Sequence, residues 1–237
     1  MEIDSDIIIV GGGLNGSLLA IAAAKIGFST IVLDSKGNHG DELNSFDGRS
    51  YALAASSVRL LKNLDIFEDI RNYSQPILDI EILDGKLVQG PSQFSLHFDN
   101  KEIHNGPMGY MVEDRFIQRT LVAQILATNQ IDYKFDSKVT EHYQQGSYIS
   151  VQLDDGQKLR TRLVVGADGR NSNIAKRAKI KKSGWRYKQN ALVCAIEHEI
   201  DHKGLAWQYF LPNGPLAILP MTCNRSSIVW TEQTKNA

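Results

Sequence analysis

The sequence predicts an α/β fold in which a parallel-sheet unit is interleaved with a mostly antiparallel β unit. Residues 6–10 (DIIIV) form a continuous run of β-branched apolar residues, the pattern of a strand covered on both faces. They lead through GGGLNG into an apolar helix and a second strand. A strand, a glycine turn and a helix recur late, in LVVGADGRNSNIAKRA, residues 163–178. Elsewhere apolar and polar residues alternate, as in ILDIEILDG and FSLHF, which signals antiparallel strands.

Residues 6–10, a helix ending at Lys25 and residues 29–34 (STIVLD) make a βαβ unit of minimum practical length. Over residues 50–64, Leu53, Val58, Leu61 and Leu64 recur at helical spacing, with Ser50 as the cap. Alternation predicts strands between residues 76 and 98. GYMVEDR turns to helix after Asp114, with Phe116, Ile117, Leu121, Ile125 and Leu126 on one side. IDYKF, KVTEHY and SYISVQL are strands, the last closed by the turn pair Asp155-Gly156. After Ile180 the alternating style returns in NALVCAIEHEI, LAWQYFLP, GPLAILP and SSIVWTE. The α/β unit is expected over 1–75 and 105–178, and the β unit over 76–104 and 179–237.

With 42% hydrophobic and 22% charged residues and a net charge of -1, the chain has an ordinary globular composition. It has no overall basic field for a nucleic-acid partner. The basic run at residues 176–182 reads as a solvated face. Cys194 and Cys223 form no framework and have no histidine cluster nearby, so they read as reduced core thiols of a cytosolic protein, and no metal is expected. The start MEIDSD lacks the pattern of a signal peptide, and the apolar helix over 14–26 is short and interrupted by Ser17 and Lys25.

Gly11, Gly13 and Gly16 fit G-x-G-x-x-G between a buried strand and a helix. That arrangement seats a pyrophosphate on the helix start, here Leu14 and Asn15, and Asp34 stands close to where a carboxylate accepts the hydroxyls of a ribose. An acid there suits FAD or NAD and disfavours a 2′-phosphate. Which dinucleotide binds is left open by these residues, and a glycine turn that only packs a helix is the competing reading. In the second turn, Asp168 and Gly169 suit a backbone passing close to a cofactor, and Ser172 can cap the helix NIAKRA. A plain strand-to-helix connection looks similar.

Taken in order, the amino-terminal GxGxxG with Asp34, DGRSYALAASSVRLLKNL, GYMVEDR and GADGRNSNIAKRA resemble the flavoprotein aromatic hydroxylases. Within them, AWQYFLPNGPLAILPM followed by SSIVWT is most similar to the hydroxylases of ubiquinone biosynthesis. The resemblance implies a Rossmann-like FAD-binding domain interleaved with a substrate-binding β domain, and both glycine turns facing one FAD. It assigns Gly11, Gly13, Gly16 and Asp34 to the ADP half and Asp168-Gly169 to the pyrophosphate and the nicotinamide cofactor. Arg49 and Arg115 are assigned to the flavin's phosphates or ring, and the Val139 backbone to the adenine. A surface ion pair is the competing reading for either arginine.

The implied activity is an FAD-dependent monooxygenase that uses NAD(P)H and O2 to hydroxylate an aromatic ring, a prenylated phenol of ubiquinone biosynthesis. The substrate would contact the β unit, at aromatics such as Trp207, Tyr209 and Phe210. The expected setting is cytoplasmic, peripheral at the inner face of the membrane or within a quinone-biosynthesis complex. The family's third flavin motif, a GDAAH segment, does not occur, so a carboxy-terminal truncation or partner fragment is expected, with weak FAD binding and poor hydroxylation by this chain alone. A flavin-dependent reductase or halogenase, and a nonenzymatic nucleotide-binding remnant or interaction subunit, stay open beside it. The histidines His39, His97, His104, His142, His198 and His202 are scattered, and no catalytic residue is assigned.

Overall fold

The computed structural model describes residues 3–37, 45–86, 90–103 and 106–237. The chain divides into two compact units, Met1–Ser45 with Ile117–Gly184 and Phe46–Phe116 with Trp185–Ala237. The first opens with β1 (Ser5–Val10), α1 (Leu14–Lys25) and β2 (Thr30–Leu33). The second begins with β3 (Ser50–Ala54), α2 (Ala55–Asn63), α3 (Phe67–Ile70), β4 (Ser74–Ile77), β5 (Asp79–Lys86), β6 (Gly90–Asp99), α4 (Asn100–Ile103) and β7 (Gly109–Glu113). After α5 (Asp114–Leu126) come β8 (Ile131–Lys134), β9 (Val139–Gln145), β10 (Tyr148–Leu153), β11 (Lys158–Gly166) and α6 (Asn173–Arg177). The strands β12 (Gln189–Glu197), β13 (Leu205–Leu211), β14 (Gly214–Met221) and β15 (Arg225–Gln233) complete the second unit.

In the first unit the strand order is β8-β2-β1-β11-β10-β9. Strands β8, β2, β1 and β11 are parallel, and β10 and β9 extend the sheet antiparallel. Because β2 and β11 flank β1 on opposite sides, the chain reverses its direction of winding at β1. In open α/β sheets such a switch point leaves a crevice at the carboxyl ends of the strands. The continuous apolar pattern of β1 is explained by burial: Ile8 and Ile9 are fully covered. Helix α1 turns Gly16, Ala20, Ala23 and Ala24 inward, and these small residues let it lie close against β1, β2 and β8. Ile8, Val10, Ile31, Leu33, Val151, Leu153 and Ile174 belong to one core cluster.

The second unit has a six-stranded sheet, β12-β15-β14-β13-β5-β6, and a three-stranded one, β3-β7-β4. All pairs are antiparallel except β13 with β5. Ile77, Met111 and Ala206, with Ile80 and Leu219, pack the two sheets together.

Several expectations change. Residues 46–75 and 105–116, placed by the sequence with the α/β unit, cluster instead with the β sheets. Residues 50–54 are strand, because Ser50–Ala54 pairs along its whole length with β7, and this ladder overrides the local helical spacing. The helix therefore starts after Ala54, without a side-chain cap, while Val58, Leu61 and Leu64 are buried as the spacing implied. On α5 the covered stripe is Ile117, Leu121 and Ile125, and Leu126 at the helix end is 61% exposed. Cys194 and Cys223 are exposed rather than core, because β12 is a sheet edge and Cys223 sits in the β14–β15 turn with φ 64°. Among the described residues no helix is long and apolar enough to cross a membrane.

Leu153, 2% exposed, is fixed in the core, whereas Leu126 is not. Leu153→Ala is expected to cost about 2–5 kcal/mol in urea unfolding. Leu126→Ala should stay within about 0.5 kcal/mol of the parent.

Candidate functional site

Both glycine turns emerge at one place. Val10 and Gly166 are partners on the adjacent parallel strands β1 and β11, and the Ala167 N–H donates to the Val10 carbonyl at 2.7 Å. Gly11 has φ 106°, and a Cβ there would stand 2.4 Å from the Ala167 oxygen. A Cβ on Gly16 would stand 1.9 Å from the Gly11 oxygen. These two positions are glycine because the first turn, the second turn and the start of α1 are packed backbone to backbone.

Gly13 differs. A Cβ there would meet nothing within 4 Å. Gly13 is exposed and caps α1, whose first intrahelical bond runs from the Ser17 N–H to the Gly13 carbonyl at 2.9 Å. The N–H groups of Leu14, Asn15 and Gly16 precede that bond, and the first turn carries no acidic side chain. This is an open helix end with free N–H groups, and it fits a pyrophosphate.

Asp34 follows the last residue of β2. Its N–H is held by the Lys134 carbonyl, its Oδ1 accepts the Lys36 N–H at 3.0 Å, and its Oδ2 lies 3.1 Å from the Tyr133 hydroxyl. The carboxylate thus stands beside the glycine turn, which suits recognition of an adenosine ribose.

In the second turn the Asp168 carboxylate is turned into its own helix cap. Its Oδ1 accepts the Ser172 hydroxyl and its Oδ2 the N–H groups of Asn173 at 2.7 Å and Ile174 at 3.2 Å. Burial works against ionisation, but the Ser172 hydroxyl and the Ile174 and Asn173 amides outweigh it and hold this carboxyl below the ordinary range. Gly169 is exposed, at φ 79° with open space where a Cβ would be, and Arg170 and Asn171 beside it are exposed as well. Ser172 caps α6 as anticipated, accepting the Ala175 N–H at 3.0 Å. Val139 contributes its side chain to the core, and its carbonyl accepts Arg177 Nη1 at 3.2 Å.

Arg49 and Arg115 lie together in the second unit. Ser50 pairs with Glu113, so both arginines leave the β3–β7 ladder at the same end. Arg49, 63% exposed, contacts Asp47 at 2.6 Å and Asp114 at 3.1 Å. Arg115 contacts Glu113 at 2.7 Å and lies over the Phe116 ring. The opposite oxygen of Glu113, itself 2% exposed, takes Arg225, whose guanidinium covers the Phe46 ring. Sequence reasoning missed Glu113, Arg225 and Tyr133 as site groups, and only Glu113 carried a signal, its place in the VEDR stretch.

Three of the histidines are tied into local structure by hydrogen bonds or ion pairs. His97 sits between Glu81 at 2.7 Å and Asp79 at 3.4 Å, with Asp99 close by, on an exposed strand. His198 and His202 bond Ser226 and the Met221 carbonyl. Burial, then the Arg177 charge, lowers the pKa of His142. His39 and His104 lie outside the described residues. Trp207 and Tyr209 stack on one face of the six-stranded sheet with centroids 6.0 Å apart, and Phe210 points to the other face, 52% exposed.

Residues 4–236 match the family described as FAD binding domain. The ubiquinone hydroxylase UbiL of Rhodospirillum rubrum is 40% identical over 230 residues, covering 97% of this chain and 52% of the relative. The 3-demethoxyubiquinol 3-hydroxylase of Escherichia coli is 30% identical, covering 95% of this chain and 57% of the relative. The chain thus spans about half the length of the curated relatives it matches. Among solved structures, PqsL of Pseudomonas aeruginosa, a probable FAD-dependent monooxygenase, superposes with a TM-score of 0.82 at 18% identity over 98% of this chain and 61% of its own. The p-nitrophenol 4-monooxygenase PnpA of Pseudomonas putida gives 0.78 at 18% identity, over 98% and 59%. At these identities the likeness is one of fold.

The glycines separate experimentally. Gly11→Ala is expected to lower the unfolding midpoint sharply, through its clash and its positive φ. Gly13→Ala, at φ -68°, should lower the midpoint far less than Gly11→Ala, by the small cost of a poorer helix cap, and weaken dinucleotide binding. The Asp168 cap gives a pH signature. Its contribution is complete above the carboxyl's unfolded value of about 4 and is lost as pH falls through the depressed folded value. In urea titrations at acid pH, Asp168→Asn is expected to flatten that loss.

Proposed function

The chain belongs to the FAD binding domain family, and from that premise we propose that it forms the FAD-holding part of a monooxygenase that hydroxylates an aromatic ring. NAD(P)H and O2 are the co-substrates, and the substrate is a prenylated phenol of ubiquinone biosynthesis. The observation that carries this reading is the convergence of three groups at one switch point. The open start of α1 and the Gly169 turn stand at the ends of β1 and β11, and Asp34 stands at the end of β2. The names of the relatives supply the substrate class.

In this reading Gly11 and Gly16 build the crevice, and Gly13, Leu14 and Asn15 present backbone to the pyrophosphate. Asp34 takes the ribose, the Val139 backbone the adenine side, and Asp168-Gly169 shapes the far wall. Arg49 and Arg115 are assigned to the phosphates or ring of FAD on chemistry, as planar, permanently charged donors. Bound FAD would supply hydride acceptance and oxygen activation, and the chain's own residues bind it, orient it and exclude water. The six-stranded sheet of the second unit, with Trp207 and Tyr209 side by side, is the proposed substrate platform. Its edge strand β6 exposes Phe94 and Leu96, which agrees with work beside a membrane surface or a quinone-biosynthesis complex.

Titration of the purified chain with FAD, read by flavin fluorescence, is expected to show saturable quenching that ADP reverses, since the ADP half is served by the first unit alone. Absence of saturation, or indifference to ADP, would overturn the reading.

A further inference from the structure

We propose that Tyr133 is a positioning residue of this dinucleotide site, its hydroxyl tying the Asp34 carboxylate to the glycine turn and so setting the adenosine ribose that the site accepts. The inference rests on the FAD reading above and adds a residue to it.

Tyr133 lies 99 residues from Asp34 in sequence and reaches it because β8 pairs with β2, Val32 opposite Tyr133. The hydroxyl stands 3.1 Å from Asp34 Oδ2 and 3.3 Å from the Gly12 carbonyl oxygen. Both neighbours accept only, so the phenol is the donor. The Gly12 carbonyl also takes the Ser17 hydroxyl at 2.9 Å on its second lone pair, so the phenol bridges carbonyl and carboxylate, with the shorter contact to the charged oxygen.

Gly12 supports this from the other side. It is the middle glycine of the GGG run and has no place in G-x-G-x-x-G, yet a Cβ there would fall 1.7 Å from the Tyr133 oxygen and 2.6 Å from Asp34 Oδ2. The position is glycine because the phenol and the carboxylate are packed against it. Burial first, then the negative charge of Asp34, raise the Tyr133 pKa, so the group remains an O–H donor at any working pH.

The consequence for recognition is geometric. With Oδ1 on the Lys36 N–H and Oδ2 on the phenol, the carboxylate is held at both oxygens, and in this proposal its remaining lone pairs receive the ribose hydroxyls. Without the phenol one anchor is lost, and the ribose must order the carboxylate itself.

The test is calorimetric titration of the whole chain with FAD, ADP and 2′-deoxy-ADP, for the parent, Tyr133→Phe, Asp34→Asn and the double variant, with urea unfolding in parallel. Tyr133→Phe is expected to weaken ADP and FAD by roughly tenfold, the scale of one hydrogen bond to a charged group, with 2′-deoxy-ADP much less affected. In the Asp34→Asn background the same change should add almost nothing. Gly12→Ala, whose Cβ takes the place of the hydroxyl, should reproduce the loss of ribose preference if Tyr133→Phe does not fold. Equal weakening of ADP and 2′-deoxy-ADP, or full additivity with Asp34→Asn, would mean the ring only packs and would overturn the proposal. A parent that binds neither FAD nor ADP would overturn the FAD reading and this inference with it.

Discussion

The backbone contact between Gly11 and Ala167 is the constraint on which the rest of the first unit depends. Two parallel strands end side by side, and each must turn away without a side chain between them. Any Cβ at Gly11 or Gly16 would push the turns apart, lose the Ala167 to Val10 hydrogen bond and tilt α1 off the sheet. Close packing of this kind tolerates little change in volume, since displaced atoms lose contacts that no neighbour restores. The same turn leaves the start of α1 open at Gly13, where the proposed pyrophosphate would sit.

Polar groups around this point are satisfied in layers. Ser17 and Tyr133 serve the Gly12 carbonyl, Tyr133 and Lys36 serve Asp34, and Ser172 with two amides serves Asp168. Each carboxylate is held by backbone amides together with one side-chain hydroxyl, which keeps its position defined. Asp168 uses its charge on its own helix, and Gly169 next to it is exposed with nothing in the way of its backbone.

The second unit follows a different physics. Glu113 is buried between two guanidiniums, a charge arrangement stable only while both partners remain, because an uncompensated buried carboxylate costs several kcal/mol. Arg115 and Arg225 also cover the Phe46 ring, so their apolar planes and their charges are used at once. The exposed Arg49 pairs with the exposed Asp47, where screening leaves little energy, and with the buried Asp114.

Period and glycine spacing by themselves determined β1, α1, β2, the strand β11 with its turn, the Ser172 cap and the alternating strands of the large sheet, because these depend on neighbours within a few residues. Asp34 and the three motif glycines were legible for the same reason. Only the tertiary structure decided that residues 50–54 are strand, that the division between units falls at 45 and 116, and that Cys194 and Cys223 face outward. It alone decided that Tyr133 meets Asp34 and that Arg225 meets Glu113. Strand pairing and charge contacts join residues about a hundred positions apart, and no local pattern records which distant partner a strand or a carboxylate will find.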